Sequence, residues 1–370
     1  MKSKKKMIKT LCLTVLLMTG SLFLTFGQSF EKNLKITRVF PAIEETEIQI
    51  SNKYGNIHLI PWEMDSVKFD IELKVKANKE AKVDKFFDNV DFDFTSTKYY
   101  VIAKTTFQKS NIFTNISDMA NTVMSSSNNN IEIDYVVYFP EYSPVSIENK
   151  FGNIYSTDHT GKLDIHLSNG DFKVNNVYGE ADIEVDFGNI YINDITAGKL
   201  NISYGELSIK KAERLILTSK SSRITIDTVQ DLQIDSRRDK LYLTKVKTLK
   251  GQMSFSYINV KNIETEFMLN SRYGDITIEQ SDQDFQFFDL NSDFTDIRLY
   301  LTPNSNFNLE ILHTAKTAIK LPEKNITFEK ELIDKKTDQY RILGKAGEDD
   351  SAIATIKINA TGGSVSIVNR

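Results

Sequence analysis

The chain has 370 residues, with 46 basic and 50 acidic side chains, 40% hydrophobic and 11% aromatic content, six prolines and one cysteine. A chain of this length can bury a core of its own. A single cysteine excludes a disulfide scaffold and a thiolate-built metal site, and the mild acidity makes nucleic acid a poor partner.

The first segment reads as a leader. Lys2, Lys4, Lys5, Lys6 and Lys9 precede an apolar run from Leu11 to Phe26, and Thr25 and Gly27 are small enough for a cleavage site. This is the layout of a secretory signal peptide over residues 1–27, with a mature start near Gln28. The alternative is an uncleaved anchor, because the run approaches the length needed to span a bilayer. Cys12 lies inside the run, not after it where a lipoprotein cysteine belongs, so the mature chain carries no thiol. Without the five leader lysines, 41 basic residues face 50 acidic ones, a net charge of −9. No later stretch is apolar enough to cross a membrane, so no transmembrane segment is expected after cleavage. The expected location is the cell envelope: periplasm, outer surface or secreted.

Residues 28–145 read as a strand-rich region. Ile50-Ser51-Asn52-Lys53-Tyr54-Gly55-Asn56-Ile57 is a first signature, followed by an insertion from about Pro61 to Pro144. Val67 to Val75 alternates strictly and predicts a strand. Asn78 to Asn89 predicts one short helix, with Asn78 as N-cap and Val83, Phe86 and Phe87 apolar. Asp91 to Phe107 is again strand-like. Gln108 to Asn130 is polar and predicts a disordered excursion. Ile131 to Pro140 returns as a strand that stops at a proline.

Residues 146–325 carry a repeat. The unit aromatic–Gly–Asn/Asp–Ile recurs every 17 or 18 residues: Phe151-Gly152-Asn153-Ile154, Asn169-Gly170-Asp171-Phe172, Phe187-Gly188-Asn189-Ile190 and Tyr204-Gly205-Glu206-Leu207, with Tyr273-Gly274-Asp275-Ile276 later. Self-similarity at this period predicts stacked coils. Each coil holds two alternating segments separated by turn residues. One inward column runs Ile154, Phe172, Ile190, Leu207, Ile224, Leu241, Ile258, Ile276 and Ile297; a second, just past the segment, holds Val177, Ile195, Ala212, Val229, Val246 and Ile263. The motif glycine is expected at φ > 0. Coils without it place Ser222, Asp239 or Ser256 there. The following Asn153, Asp171, Asn189, Glu206 and Asp275 read as turn residues capping their own backbone, not as a metal ladder.

Residues 326–370 change character. Gly344 to Asp350 predicts an exposed hairpin loop. Ala352 to Ala360 alternates, and Gly362 to Ile367 repeats the coil pattern once more, so the tail is expected to cap the stack. The fold expected is therefore all-β: a β-solenoid of about eight 17–18-residue coils, with a strand-rich N-terminal insertion carrying one short helix and a C-terminal cap.

The I-x-N-K-[YF]-G-N-I units, with the Tyr135–Pro140 strand before them, resemble the putative-adhesin domain family of exported bacterial proteins, whose function is unassigned. The resemblance covers roughly Ile36 to Ile367. It implies an exported, envelope-associated β-solenoid and carries no catalytic residues over.

The functional reading is a non-catalytic adhesin-like binding protein. Its outward column runs Tyr155, Lys173, Tyr191, Ser208, Thr225, Tyr242, Asn259, Thr277 and Arg298. Tyr155, Tyr191, Tyr242 and Arg298 are the expected binding residues, because tyrosine offers an apolar body and a polar tip to a glycan or an envelope protein. Strand propensity alone also accounts for tyrosine there. The alternatives are a periplasmic envelope scaffold or regulatory partner of a membrane protein and, less favoured, a polysaccharide-acting enzyme using Arg223, Arg237, Arg238 and Arg272 with Asp227, Asp235 and Asp275. No cofactor, metal site or catalytic residue is expected: His58, His159, His166 and His313 lack ligand spacing, and no hydrolase or phosphate-binding motif occurs. His166 is expected to face solvent and His159 to lie in a turn.

Overall fold

The computed structural model describes residues 29–108, 130–303, 305–324, 326–347 and 354–369. The expected signal peptide, nearly all of the expected excursion Gln108–Asn130, and the tip of the expected loop Gly344–Asp350 lie outside the described residues. The described residues form two compact units. A small one contains 29–34, 73–91, 107–108 and 130–132; the large one contains the rest.

The small unit holds the expected helix, over Glu80–Asp88. Its N-cap is Lys79, not Asn78, and no side chain caps it there. The C-terminal end is the better finished one, because Asn89 Nδ2 donates to the Lys85 carbonyl at 2.7 Å. Val83 and Phe86 are buried, and Lys32 pairs with Asp84 at 3.1 Å while lying 4.3 Å from the Phe87 ring.

The large unit is the solenoid. Alternating apolar residues make strands with one buried face, and strands such as Phe172–Asp186, Ile190–Ser203, Glu206–Lys220 and Arg223–Arg237 pair parallel with the next coil. The register keeps like residues in line: Phe172 meets Ile190, Ile190 meets Leu207, Leu207 meets Ile224 and Ile224 meets Leu241. All five are buried. Only the motif turn breaks the pairing. The second corner, at Val177, Ile195, Ala212 and Val229, stays within continuous strands. Where a coil has 18 residues, the extra one is absorbed there as a bulge, at Val177/Glu180 and opposite Val246/Thr248.

The stack continues at both ends into segments without the full motif. The strands Glu47–Lys53 and Ile57–Trp62 pair parallel with Val145–Lys150 and Ile154–Ser156. On their other side they pair with residues 100–104 and 135–140 of the insertion, which therefore supplies a further coil. At the C-terminal end the last strand, Ala354–Asn369, is not outermost. It is threaded between Phe287–Leu301 and the strands Phe307–Thr314 and Thr317–Lys320. The end is closed by two antiparallel strands, Gln339–Ala346 and Ile326–Asp334.

The motif turn departs from the expectation. The left-handed residue is the aromatic one, with Phe151, Phe187, Tyr204, Phe255, Tyr273 and Phe294 at φ of 49–59°, while Gly152, Gly170, Gly188, Gly205 and Gly274 do not have positive φ. Glycine is needed for close approach instead. A Cβ on Gly152, Gly170, Gly188 or Gly205 would sit 1.7–2.1 Å from the carbonyl oxygen of the glycine one coil earlier.

The residue after the glycine also differs from expectation. Its side chain serves the next coil's backbone, not its own: Asn153 Oδ1 accepts from Asp171 N at 2.8 Å, Asp171 Oδ1 from Asn189 N at 3.1 Å and Asn189 Oδ1 from Glu206 N at 2.9 Å. These N–H groups point along the stack, where an unpaired donor would be costly. Beyond Glu206 the ladder stops, because the main chain takes over: Arg223 N donates to the Gly205 carbonyl and Lys240 N to the Ser222 carbonyl, both at 3.0 Å. Side chains at Arg223, Lys240 and Tyr257 are thereby released from this duty.

Candidate functional site

The expected outward column is continuous. Tyr155 meets Lys173, which meets Tyr191; Ser208, Thr225, Tyr242, Asn259, Thr277 and Arg298 follow in register. Strand alternation places them outside the Ile/Leu columns, and all four predicted binding residues are half-buried. The structure groups them unevenly. Tyr155 and Tyr191 flank Lys173, whose Nζ lies 5.1 Å from the Tyr191 ring, and together with Asn175 and Asn193 they line an open depression of about 380 Å³. His58 extends this end by stacking on Tyr155 at 4.9 Å. Tyr242 lies three coils further on, under the Arg223 guanidinium at 4.6 Å and beside Tyr257 at 5.8 Å. Arg298 is held by Asp275 at 3.4 Å and Asp296 at 4.0 Å.

The arginines weighed as catalytic are dispersed among these roles. Arg272 pairs with Asp293 at 3.3 Å, and Asp235 accepts from Gln252 Nε2 at 2.8 Å. Among the described residues, no group of three or more His, Asp or Glu is placed to hold a metal ion.

Sequence reasoning missed the first-segment face. Two open depressions of about 530 Å³ each lie there, lined by polar side chains that include Asp235, Gln252, Asn270 and Asn291. Gly251 lines one of them and stands in register between the buried Ile234 and Leu269. A Cβ there would meet the Ile234 carbonyl oxygen at 2.0 Å. The signal was present as a lone glycine in an alternating strand.

A second feature lies at the motif corner. A buried polar cluster replaces glycine where the Gly column ends. The Asp239 carboxylate accepts from Ser219 Oγ and Ser236 Oγ at 2.7 Å, from Ser222 N at 2.7 Å and from Arg237 N at 2.9 Å. Ser256 Oγ accepts from Asp239 N at 3.0 Å. Four donors satisfy a carboxylate that is almost fully buried.

His166 is partly exposed between Asp164 and Glu184, at 3.3 Å from each, in line with its expected outward position. His159 is fully buried, although it was expected in an ordinary turn. Its Nε2 lies 3.3 Å from the Lys162 carbonyl, its ring lies 5.8 Å from that of Phe139, and burial holds its pKa down to about 4 from 6.5. The folded protein therefore keeps His159 neutral, while the unfolded chain takes up a proton as pH falls below about 6.5. The stability this gives is fully present above pH 6.5 and is lost between 6.5 and about 4, amounting to about 3 kcal/mol. Urea melts across that window should show the loss in the wild type and a flatter profile in His159→Leu. Parallel profiles would remove His159 as the cause.

No protein-family model matches the chain, and no curated protein matches it. Among the described residues no helix is long and apolar enough to cross a membrane. Solved structures do resemble the chain. One is a putative adhesin from Bacteroides fragilis, 10% identical, covering 71% of this chain and 96% of its own with a TM-score of 0.30. Another is a putative cell adhesion protein from Clostridium sporogenes, 8% identical, covering 92% of this chain and 100% of its own with a TM-score of 0.18.

Proposed function

We propose that the protein is an exported, non-catalytic, adhesin-like binding protein whose repeat face engages a glycan or an envelope protein. The observation that carries this reading is the outward column from Tyr155 to Arg298, which offers one side chain per coil in unbroken register. Tyrosine supplies contact area at low conformational cost, with a hydroxyl for orientation. Many modest contacts along one line add to a useful affinity when they act on one extended ligand. The leader pattern supports export to the envelope.

The double variant Tyr191→Ala/Tyr242→Ala tests it. Binding of the labelled protein to a printed glycan array and to solubilised envelope proteins should weaken about tenfold or more, as for truncated aromatic anchors, with an unchanged melt. Unchanged binding would count against this face.

A second reading, an envelope scaffold that docks another protein, is favoured by the closing strand Ile326–Asp334. This strand is almost wholly exposed and carries Phe328, Leu332 and Ile333 on its surface. An apolar edge strand is suited to accept a strand from a partner.

A further inference from the structure

The motif corner carries two stacks of exposed rings. Phe187 and Tyr204 stack at 5.0 Å, and Phe255, Tyr273 and Phe294 stack at 5.2 and 5.5 Å, with ring planes 5–16° apart. All five residues are 46–60% exposed and all have positive φ. The turn imposes this conformation on every coil, Asn169, Ser221 and Arg238 included, so what distinguishes the five positions is the exposed ring.

The stacks are separated by two coils, whose corner residues are Ser221 and Arg238. By strand spacing, Tyr204 and Phe255 are about 14 Å apart along the stack. The residues flanking that gap are basic and exposed: Lys220 and Arg223 on one coil, Arg237, Arg238 and Lys240 on the next. Among the described residues none of the five pairs with a carboxylate within 4.0 Å. Asp239, in their midst, turns inward and spends its oxygens on Ser219, Ser222, Ser236 and Arg237. The nearest acidic register partner is Glu206, opposite Arg223.

This arrangement works against stability. Lys220 is the direct strand partner of Arg237, and Arg223 that of Lys240. Like charges facing each other across strands are destabilising, and the chain is otherwise acidic. Relief would come from an anion laid along the corner.

We propose that this basic gap between two aromatic stacks binds a carboxylate-bearing polysaccharide. Three of the five cations are arginines, whose fork matches a carboxylate. They lie on both sides of the corner, as a chain with acidic groups on alternate sides requires. The Phe255 ring bounds one end of the gap with an apolar face suited to the C–H face of a sugar ring, and at the other end the Lys220 ammonium lies 5.5 Å over the Tyr204 ring. One coil step is close to the length of one pyranose unit, so successive sugars meet successive coils. The inference rests on the binding-protein reading above and assigns its ligand class, but it uses the corner; of the five cations, Arg223 alone reaches the tyrosine face, over Tyr242.

The experiment measures binding of alginate, neutral dextran, duplex DNA and phosphatidylglycerol vesicles to the wild type, to Arg237→Ser/Arg238→Ser and to Tyr191→Ala/Tyr242→Ala. Alginate should bind the wild type in a salt-sensitive manner. The arginine variant should weaken it about tenfold or more, the expected loss for removed charge-assisted hydrogen bonds. That variant should melt no lower than the wild type, since it removes repulsion. Alginate binding untouched by the arginine variant but lost in the tyrosine variant would overturn the corner and leave the binding-protein reading standing. Equal affinity for DNA or vesicles would overturn the sugar assignment. No binding of alginate while other glycans bind would sink the corner alone; no glycan or envelope-protein binding at all would sink both readings.

Discussion

Ile190→Asp should abolish cooperative folding of the solenoid. Ile190 is fully buried, with Phe172 and Leu207 as its strand partners on either side. The substitution removes a buried aliphatic side chain, costing about 2–4 kcal/mol. It also places a carboxyl group where no polar partner exists, costing about 2–7 kcal/mol. Together these match most of a typical domain's net stability, about 5–15 kcal/mol. The damage should spread along the stack, because each coil is stabilised by its neighbours. Circular dichroism with urea titration is the check, and hydrogen exchange would locate the opening. A cooperative melt like that of the wild type would mean that Ile190 does not face inward and that the register is wrong.

The second large effect is expected at Gly188. An alanine Cβ there would lie 1.8 Å from the Gly170 carbonyl oxygen and 2.8 Å from the Gly170 carbonyl carbon. Backbone cannot step aside as a side-chain tip can, so the coils must separate. Separation strains the Asn189 N–Asp171 bond and the Asn169 N–Asp186 carbonyl bond, which join the same two coils on either side of the clash. A loss of about 3 kcal/mol or more is expected, at the upper end for overpacking. Gly198→Ala is the matched control. Its Cβ would crowd Ile195 Cδ1, at 2.6 Å, a side-chain end, while the nearest backbone atom, the Ala181 carbonyl oxygen, lies at 3.8 Å. Its cost should stay within about 1 kcal/mol, since alanine also restricts the unfolded chain. Equal melting of the two variants would show that glycine is not needed for close approach at this corner.

The buried columns were legible because one period fixes both the spacing along the chain and the neighbours across it. Once Ile190, Leu207 and Ile224 fall at equal steps, parallel stacking leaves them a single arrangement. The outward tyrosines followed from the same alternation. The corner was less legible. Single-residue preference assigns the left-handed conformation to Gly188, yet Phe187 adopts it. Glycine at 188 is fixed by the backbone one coil away, a contact that turn statistics do not contain. Asn153 was misread in the same way, since its partner is Asp171 N on the next coil. His159 was read from its turn-like neighbours, but its burial is set by Phe139 on a distant strand. The position of Ala354–Asn369 inside the stack was hidden because a repeat pattern gives coil identity without coil order. The basic corner needed both facts: which side chains the main-chain bonds release, and which cations become strand partners.

The Asp239 cluster divides the stack into two halves with different freedom to change length. At Gly170 and Gly188 the corner meets glycine on either side, so a duplicated coil would find the same neighbours that it left. Between Ser222 and Ser256 the corner is not interchangeable, because Asp239 reaches back to Ser219 and Ser222 on one coil while its own N–H reaches Ser256 on the next. An extra coil there would take two of the four donors, Ser219 and Ser222, from a buried carboxylate. Growth or shrinkage by whole coils is therefore open on the glycine side, in steps of about 4.8 Å. The Asp239 side keeps its length, and with it the spacing between the two ring stacks.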